Sequence, residues 1–309
     1  MRRSMFIRHL LRSLITLGCL LIMPLTFAAP TIQNASGTFH QVLVRGEMSV
    51  NIHQTAGPSY AIVNGDSRDL VYLEFEIKKD WLKVSLGKGY PKFNPVHVDI
   101  WVNNIHRLVQ RDEAKVVGHQ LQSSGLIISA IGSVPLKLDG KINLTGLQAR
   151  RFSRIELAGI HTKSLSLDLH HHATVKLQGI IGVCDMRVYD YAWVSMYWVD
   201  AHHLDLTLGE HAFVQIAGLA LVLDLEMYDY AKFAGRYLRA HRAFVKTHDS
   251  SIAQISAARS QHTLAFDQSH IDFYNIPVMK TDFMMQNGAV LDMREWTMPY
   301  AQEDTNFGD

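Results

Sequence analysis

Four segments decide the fold: His172-Ala-Thr-Val-Lys-Leu177, Tyr191-Ala-Trp-Val-Ser-Met196, His211-Ala-Phe-Val-Gln-Ile216 and Tyr230-Ala-Lys-Phe233. Their first residues lie 19, 20 and 19 positions apart. Each opens on a ring, continues with alanine and then puts apolar residues at every second position. A period of two marks half-buried strands, because successive strand side chains point to opposite faces. Leu165-Ser-Leu-Asp-Leu169, Leu204-Asp-Leu-Thr-Leu208 and Leu223-Asp-Leu-Glu-Met227 alternate in the same way.

The register runs on in both directions. One column reads Leu136, Ile155, Val175, Val194, Val214, Phe233, Ile252, Ile271 and Leu291. A second reads Ile128, Leu147, Leu167, Met186, Leu206, Leu225, Phe244, Thr263 and Phe283, and breaks only at Thr263, where Leu264 and Phe266 point to a one-residue slip. A period near 20, built from strands without helical periodicity, predicts stacked solenoid coils. The expected fold is all-β: a right-handed parallel β-helix with coils of 19–20 residues spanning residues 114–295. At ~4.8 Å per strand spacing, nine coils make a rod of about 40 Å. Stacking buries each column, at ~1.5–3 kcal/mol per fully buried large apolar side chain. A leucine-rich repeat needs a regular Asn and a helical or irregular return, so it ranks behind. A long antiparallel sheet or barrel is the third option.

Residues 29–113 are β-rich but outside the repeat, with Gly-Pro, Asn-Gly-Asp and Gly-Lys-Gly turns. They are expected to form an N-terminal β cap, since a solenoid must cover its first coil. Residues 296–309 read as a C-terminal tail. Residues 1–28 have the order of a signal peptide: Arg2, Arg3, Arg8 and Arg12, then Leu14 to Met23, then Thr26 and Ala28 at the −3 and −1 positions of a cut before Ala29. An uncleaved anchor is the alternative. Export to the periplasm, the outer membrane or the medium follows, with the membrane met only through the signal.

The 309 residues carry 30 Lys+Arg against 29 Asp+Glu, with 48% hydrophobic content, which excludes a disordered chain and a general nucleic-acid binder. Loss of residues 1–28 removes four arginines and leaves a mildly acidic protein. Its one remaining cysteine, Cys184, lies in an apolar strand and reads as a small core residue rather than a reactive thiol. Gly-x-Ser-x-Gly, His-Glu-x-x-His and Cys-x-x-Cys are all absent.

Phe39, Val42-x-Val44-x-Gly46 and Val50-x-Ile52 resemble the opening of the putative auto-transporter adhesin head, or GIN, domain family. The likeness continues through Leu82-x-Val84-x-Leu86, Val96-x-Val98-x-Ile100-x-Val102, Ile105 and Leu108, and covers roughly residues 36–293. It implies a bacterial, exported, β-helical protein and carries no catalytic residues. Family turns often read Gly-Ser-Gly; here they read His-His-His, Tyr-Asp-Tyr and Gly-Glu-His.

Those turns form the candidate surface. The column Gly132, Arg151, His171, Asp190, Glu210, Asp229, His248, Asp267 and Asn287 recurs with the coils. Asp190, Glu210 and Asp229 would stack about 5 Å apart and repel by roughly 1 kcal/mol per pair in water. They must splay, take up protons or hold a cation. Tyr189, Tyr191, His211, Tyr228 and Tyr230 flank them. Three readings compete: a solvated stripe, a strip binding glycan or peptide, and a weak cation site. The three consecutive histidines at 170–172 alternate faces and cannot share one ion. The function expected is non-enzymatic binding or scaffolding in the envelope, with no cofactor and with a glycan or an envelope or host-surface protein as partner. A polysaccharide-acting lyase or glycosidase and a self-associating structural solenoid are the alternatives.

Overall fold

The computed structural model describes residues 31–274 and 280–292. The expected signal peptide and C-terminal tail lie outside them. From Thr31 the chain forms one compact unit, a parallel β-solenoid of about eight turns.

Successive coils pair in parallel, and the apolar columns are its axis. Leu136, Ile155, Val175, Val194, Val214 and Phe233 follow one another in register. Ile128, Leu147, Leu167, Met186, Leu206 and Leu225 do the same on a second sheet. All of them are buried. A strand leaves half its side chains to solvent, so each coil contributes few core residues and depends on its neighbours to cover them. Cys184 is fully buried among these columns, and burial pushes its thiol pKa up.

Three column entries are displaced from the register. Phe233 pairs with Ala253, not Ile252. Leu225 pairs with Val245, not Phe244. Further on, Ile271 pairs with Val290, not Leu291. For the first two the cause is an extra residue at a corner: Gln215 pairs with Ala234, but Ala217 pairs with Tyr237. The next coil is shorter and restores the register at Thr263 and Ile271. Thr263 stays in register and is buried, so the slip lies at Phe244 and not where the sequence pointed. Phe244 turns outward and stacks on His262.

Parallel pairing reaches back ahead of residue 114. Gln41–Arg45 lies between Trp81–Leu86 and Arg107–Asp112. Met48–Gln54 lies between His97–Val102 and the start of Ala114–Gly132. The first coil in the chain is therefore inserted between two coils that follow it. Beyond the Trp81–Leu86 and His97–Val102 pair the pattern becomes antiparallel. Leu73–Lys78 pairs with Trp81–Leu86, Tyr60–Gly65 with His97–Val102, and Thr31–Ser36 with Tyr60–Gly65. A short helix, Ser67–Leu70, sits among these strands, with Asp66 accepting from the Arg68 N–H at its start.

Candidate functional site

The turn edge is built from a four-residue turn repeated once per coil. Arg151, His171, Asp190, Glu210, Asp229, Asp249, Asp267 and Asn287 all have φ between 57° and 65°. The column is the one read from the sequence, except that Asp249 replaces His248 because of the register shift, and that Gly132, which pairs with Arg151, is not left-handed. A left-handed residue with a side chain is strained, and Asp and Asn tolerate it best. The turns close by hydrogen bonds such as Ala192 N–H to Tyr189 O at 3.2 Å and Ala231 N–H to Tyr228 O at 3.2 Å. Small buried residues follow each turn: Ser153, Ala173, Ala192, Ala212, Ala231, Ser251 and Ser269.

The acids have a structural partner. The N–H groups of His171, Glu210, Asp229 and Asp249 point along the stack, where a carboxylate of the next coil accepts them. His171 donates to Asp190 Oδ2 at 2.7 Å, Glu210 to Asp229 Oδ2 at 3.1 Å, and Asp229 to Asp249 Oδ2 at 3.0 Å. Asp190 and Glu210 lie in contact and shift each other's titration in opposite directions. The His171 N–H holds the Asp190 carboxyl below the usual range, while the hydrogen bond to Asp190 raises Glu210 above it. Two carboxyls in hydrogen-bond contact lack the ~5–9.5 Å separation that glycoside hydrolysis uses. Among the described residues, no group of three or more His, Cys, Asp or Glu is placed to hold a metal ion.

The rings of this edge stack on one another. Phe152, His172, Tyr191, His211 and Tyr230 form one pile, with centroids 5.0, 5.0, 4.7 and 5.1 Å apart. His170 stacks on Tyr189, and Tyr228, His248 and Phe266 form a further pile. Gly209 interrupts that row, and a Cβ there would meet the Tyr189 ring at 2.8 Å. Tyr228 bonds to Glu226, which pushes its hydroxyl pKa up to about 12. Tyr191 and Tyr230 remain more than half exposed, at 57% and 58%; Tyr191 has a ring on each face, while Tyr230 ends the pile with His211 on one face. The interior faces of the pile are covered, so they cannot stack on a sugar.

The second side of the coil carries rings of the opposite kind, which the sequence reading missed. Gly140, Gly159, Gly179 and Gly218 occupy one corner column, all with positive φ. A Cβ on any of them would lie about 2 Å from a carbonyl oxygen of the preceding coil. Trp198 falls in that column, with φ 64° and 79% exposure. A bulky residue in this conformation costs of order 1–3 kcal/mol, and such strain concentrates at functional sites. Its bulge is plain in the register: Met196 pairs with Ile216 and Val199 with Gly218, so Tyr197 and Trp198 face Ala217 alone. The signal was present in the steps 140, 159, 179, 198 and 218, which keep the period with Trp at a glycine position.

A row of acids on the sheet face was also missed. Asp185, Asp205 and Asp224 pair in register. Burial, and then Asp205, raise the Asp224 carboxyl pKa. The repeated Leu-Asp-Leu of the strands was its signal.

The fold is similar to that of a putative adhesin from Parabacteroides distasonis, at 14% identity over 86% of this chain and 98% of that one, with a TM-score of 0.48. A putative adhesin from Parabacteroides merdae is similar at 13% identity over 85% and 95%, with a TM-score of 0.48. A putative lipid binding protein from Parabacteroides distasonis gives 14% over 85% and 97%, with a TM-score of 0.40. No curated protein matches the chain. The family model described as putative auto-transporter adhesin, head GIN domain, matches residues 38–208, more than half of the sequence, and the chain belongs to that family.

Proposed function

We propose that the protein is an exported, adhesin-like binding protein of the bacterial envelope, without catalytic activity, whose partner is a glycan or an envelope or host-surface protein. Family membership supports the adhesin class. The leader-like residues 1–28 support export. The observation that carries the reading is the repetition of one surface along the stack. Tyr191 and Tyr230 present hydroxyls at the same place on alternate coils, with the His211 ring between them and the His172 ring on the coil before Tyr191. A surface that repeats every ~4.8 Å suits an extended partner that is met once per coil.

The contact strip is Tyr189, Asp190, Tyr191, Glu210, His211, Tyr228, Asp229 and Tyr230. Its acids cap backbone N–H groups, so the exposed tyrosine hydroxyls carry the recognition, by edge-on hydrogen bonds. The test is binding of the labelled protein to bacterial and host-cell surfaces and to a glycan array. Tyr191→Phe with Tyr230→Phe keeps the ring pile and removes the hydroxyls. At least a tenfold loss of binding is expected. Undiminished binding removes the strip from the contact. Release of reducing or unsaturated sugar from a polysaccharide panel contradicts the absence of catalysis.

A further inference from the structure

The Trp198 corner holds a slot of about 470 Å³, within the range of small-molecule sites. Its floor is Ala217 and Gly218, with Leu219 beside them. Tyr197 and Trp198 rise on one side and Tyr237 on the other. Two bulges make the walls. The first sets Tyr197 and Trp198 against the single residue Ala217; the second puts an extra residue between Ala234 and Tyr237. The coil between them carries only small side chains at this point. Bulges re-aim side chains and occur next to functional sites.

We propose that this slot is a subsite for one neutral pyranose ring of a glycan, an inference that rests on the surface-binding reading above and gives it a ligand class. The walls stand on coils two spacings apart, about 9–10 Å. A ring placed between them would contact both at ~3.5–4 Å. Trp198 and Tyr237 are 79% and 58% exposed, and among the described residues no aromatic ring stacks on either. The Arg236 guanidinium lies 5.4 Å from the Tyr237 ring and 5.0 Å from that of Tyr274, bracing Tyr237 on the side of the later coils. The polar rim selects the ligand's charge. Asp200, Leu219 and Arg239 form one row across three coils, with opposite charges at its ends. Of these, Asp200 lines the slot, and its carboxylate turns away an anion. A pyranose offers two C–H faces to the walls and hydroxyls that donate to the Asp200 carboxylate, whereas a bare apolar ring would strip water from that carboxylate without replacing it.

The experiment titrates the full-length protein with the neutral hexasaccharides of cellulose, starch, mannan and chitin, following tryptophan fluorescence and heat. Binding of at least one is expected, with a change in Trp198 emission. Trp198→Ala and Tyr237→Ala should each weaken it at least tenfold. Ala217→Leu fills the floor while keeping both walls and should weaken it as much. Melting curves verify that each variant is folded, and a destabilised Tyr237→Ala leaves Trp198→Ala and Ala217→Leu to decide. The proposal is overturned if the wild-type protein binds none of the four, or if Trp198→Ala and Ala217→Leu bind as tightly as wild type. Attachment to cells that no hexasaccharide competes away, but an aromatic peptide does, overturns the sugar subsite and leaves the surface-binding reading standing. A protein that attaches to no surface fails that reading itself.

Discussion

Two corners of the same coils use aromatic rings in opposite ways. At the turn edge, Tyr191 lies between His172 and His211 at 5.0 and 4.7 Å, so stacking occupies its faces. At the bulged corner, Trp198 stands 79% exposed beside the bare floor of Ala217 and Gly218. One arrangement stabilises the stack at each step, by ~0.5–1.5 kcal/mol per ring pair. The other holds a strained residue away from it. Regularity is the physical difference. Where every coil supplies a ring, the rings satisfy one another; where bulges flank a plain coil, they are left open to a ligand.

The comparison can be broken most severely by altering its backbone. Gly179→Ala puts a Cβ 2.0 Å from Ile160 O at φ 150°, and should cost at least ~1–3 kcal/mol in denaturant unfolding. Tyr191→Ala removes two stacking contacts, so a loss of about 1–3 kcal/mol is expected from the same measurement. Trp198→Gly should act in the other direction. It restores the residue found elsewhere in the column and relieves roughly 1 kcal/mol of backbone strain, raising the melting temperature by a few degrees.

The smallest expected effect concerns the acids and depends on pH. Glu210 has a raised pKa in the folded protein, so the folded state favours its protonated form. Its ionisation beside Asp190 therefore costs stability as pH rises through the folded value. Asp190 behaves in the opposite sense. Its depressed pKa contributes stability that is present above the ordinary carboxylate range and is lost as pH falls through the folded value. Glu210→Gln should accordingly be slightly more stable than wild type at pH 7, by a few tenths of a kcal/mol for an exposed pair. The gain should vanish as pH falls below the ordinary glutamate range. Melting at a series of pH values between 3 and 7 checks the sign.

Much of this solenoid was legible in its sequence because burial is periodic. Leu136 to Phe233 and Ile128 to Leu225 can be read without a structure, since a coil exposing an apolar column would lose its core. The turn column was legible for a related reason: left-handed positions select Asp, Asn or a permissive neighbour. The use of the acids was not. Whether Asp229 faces solvent, an ion or the Glu210 N–H depends on rotamers and coil spacing, which composition does not encode. The inserted first coil was hidden too, because local alternation in Gln41–Arg45 is the same whichever strands lie beside it. Phe244 misled for want of one corner residue: an insertion near Tyr237 moves the positions of one coil until the shorter coil after it cancels the shift, and an apolar residue on the outer face keeps the column looking intact. Trp198 was readable as a departure from a glycine column, but recognising a departure requires the column to be seen first.

The division between a stacked edge and an open corner is tested most directly by melting Tyr191→Ala and Trp198→Gly side by side against the wild-type protein. Both changes delete a large, mostly exposed aromatic side chain from the same coil. The account predicts midpoints on opposite sides of wild type, with Tyr191→Ala lower by several degrees and Trp198→Gly equal or higher. Two midpoints lowered by the same amount would contradict it, since Trp198 would then be as much a part of the stack as Tyr191.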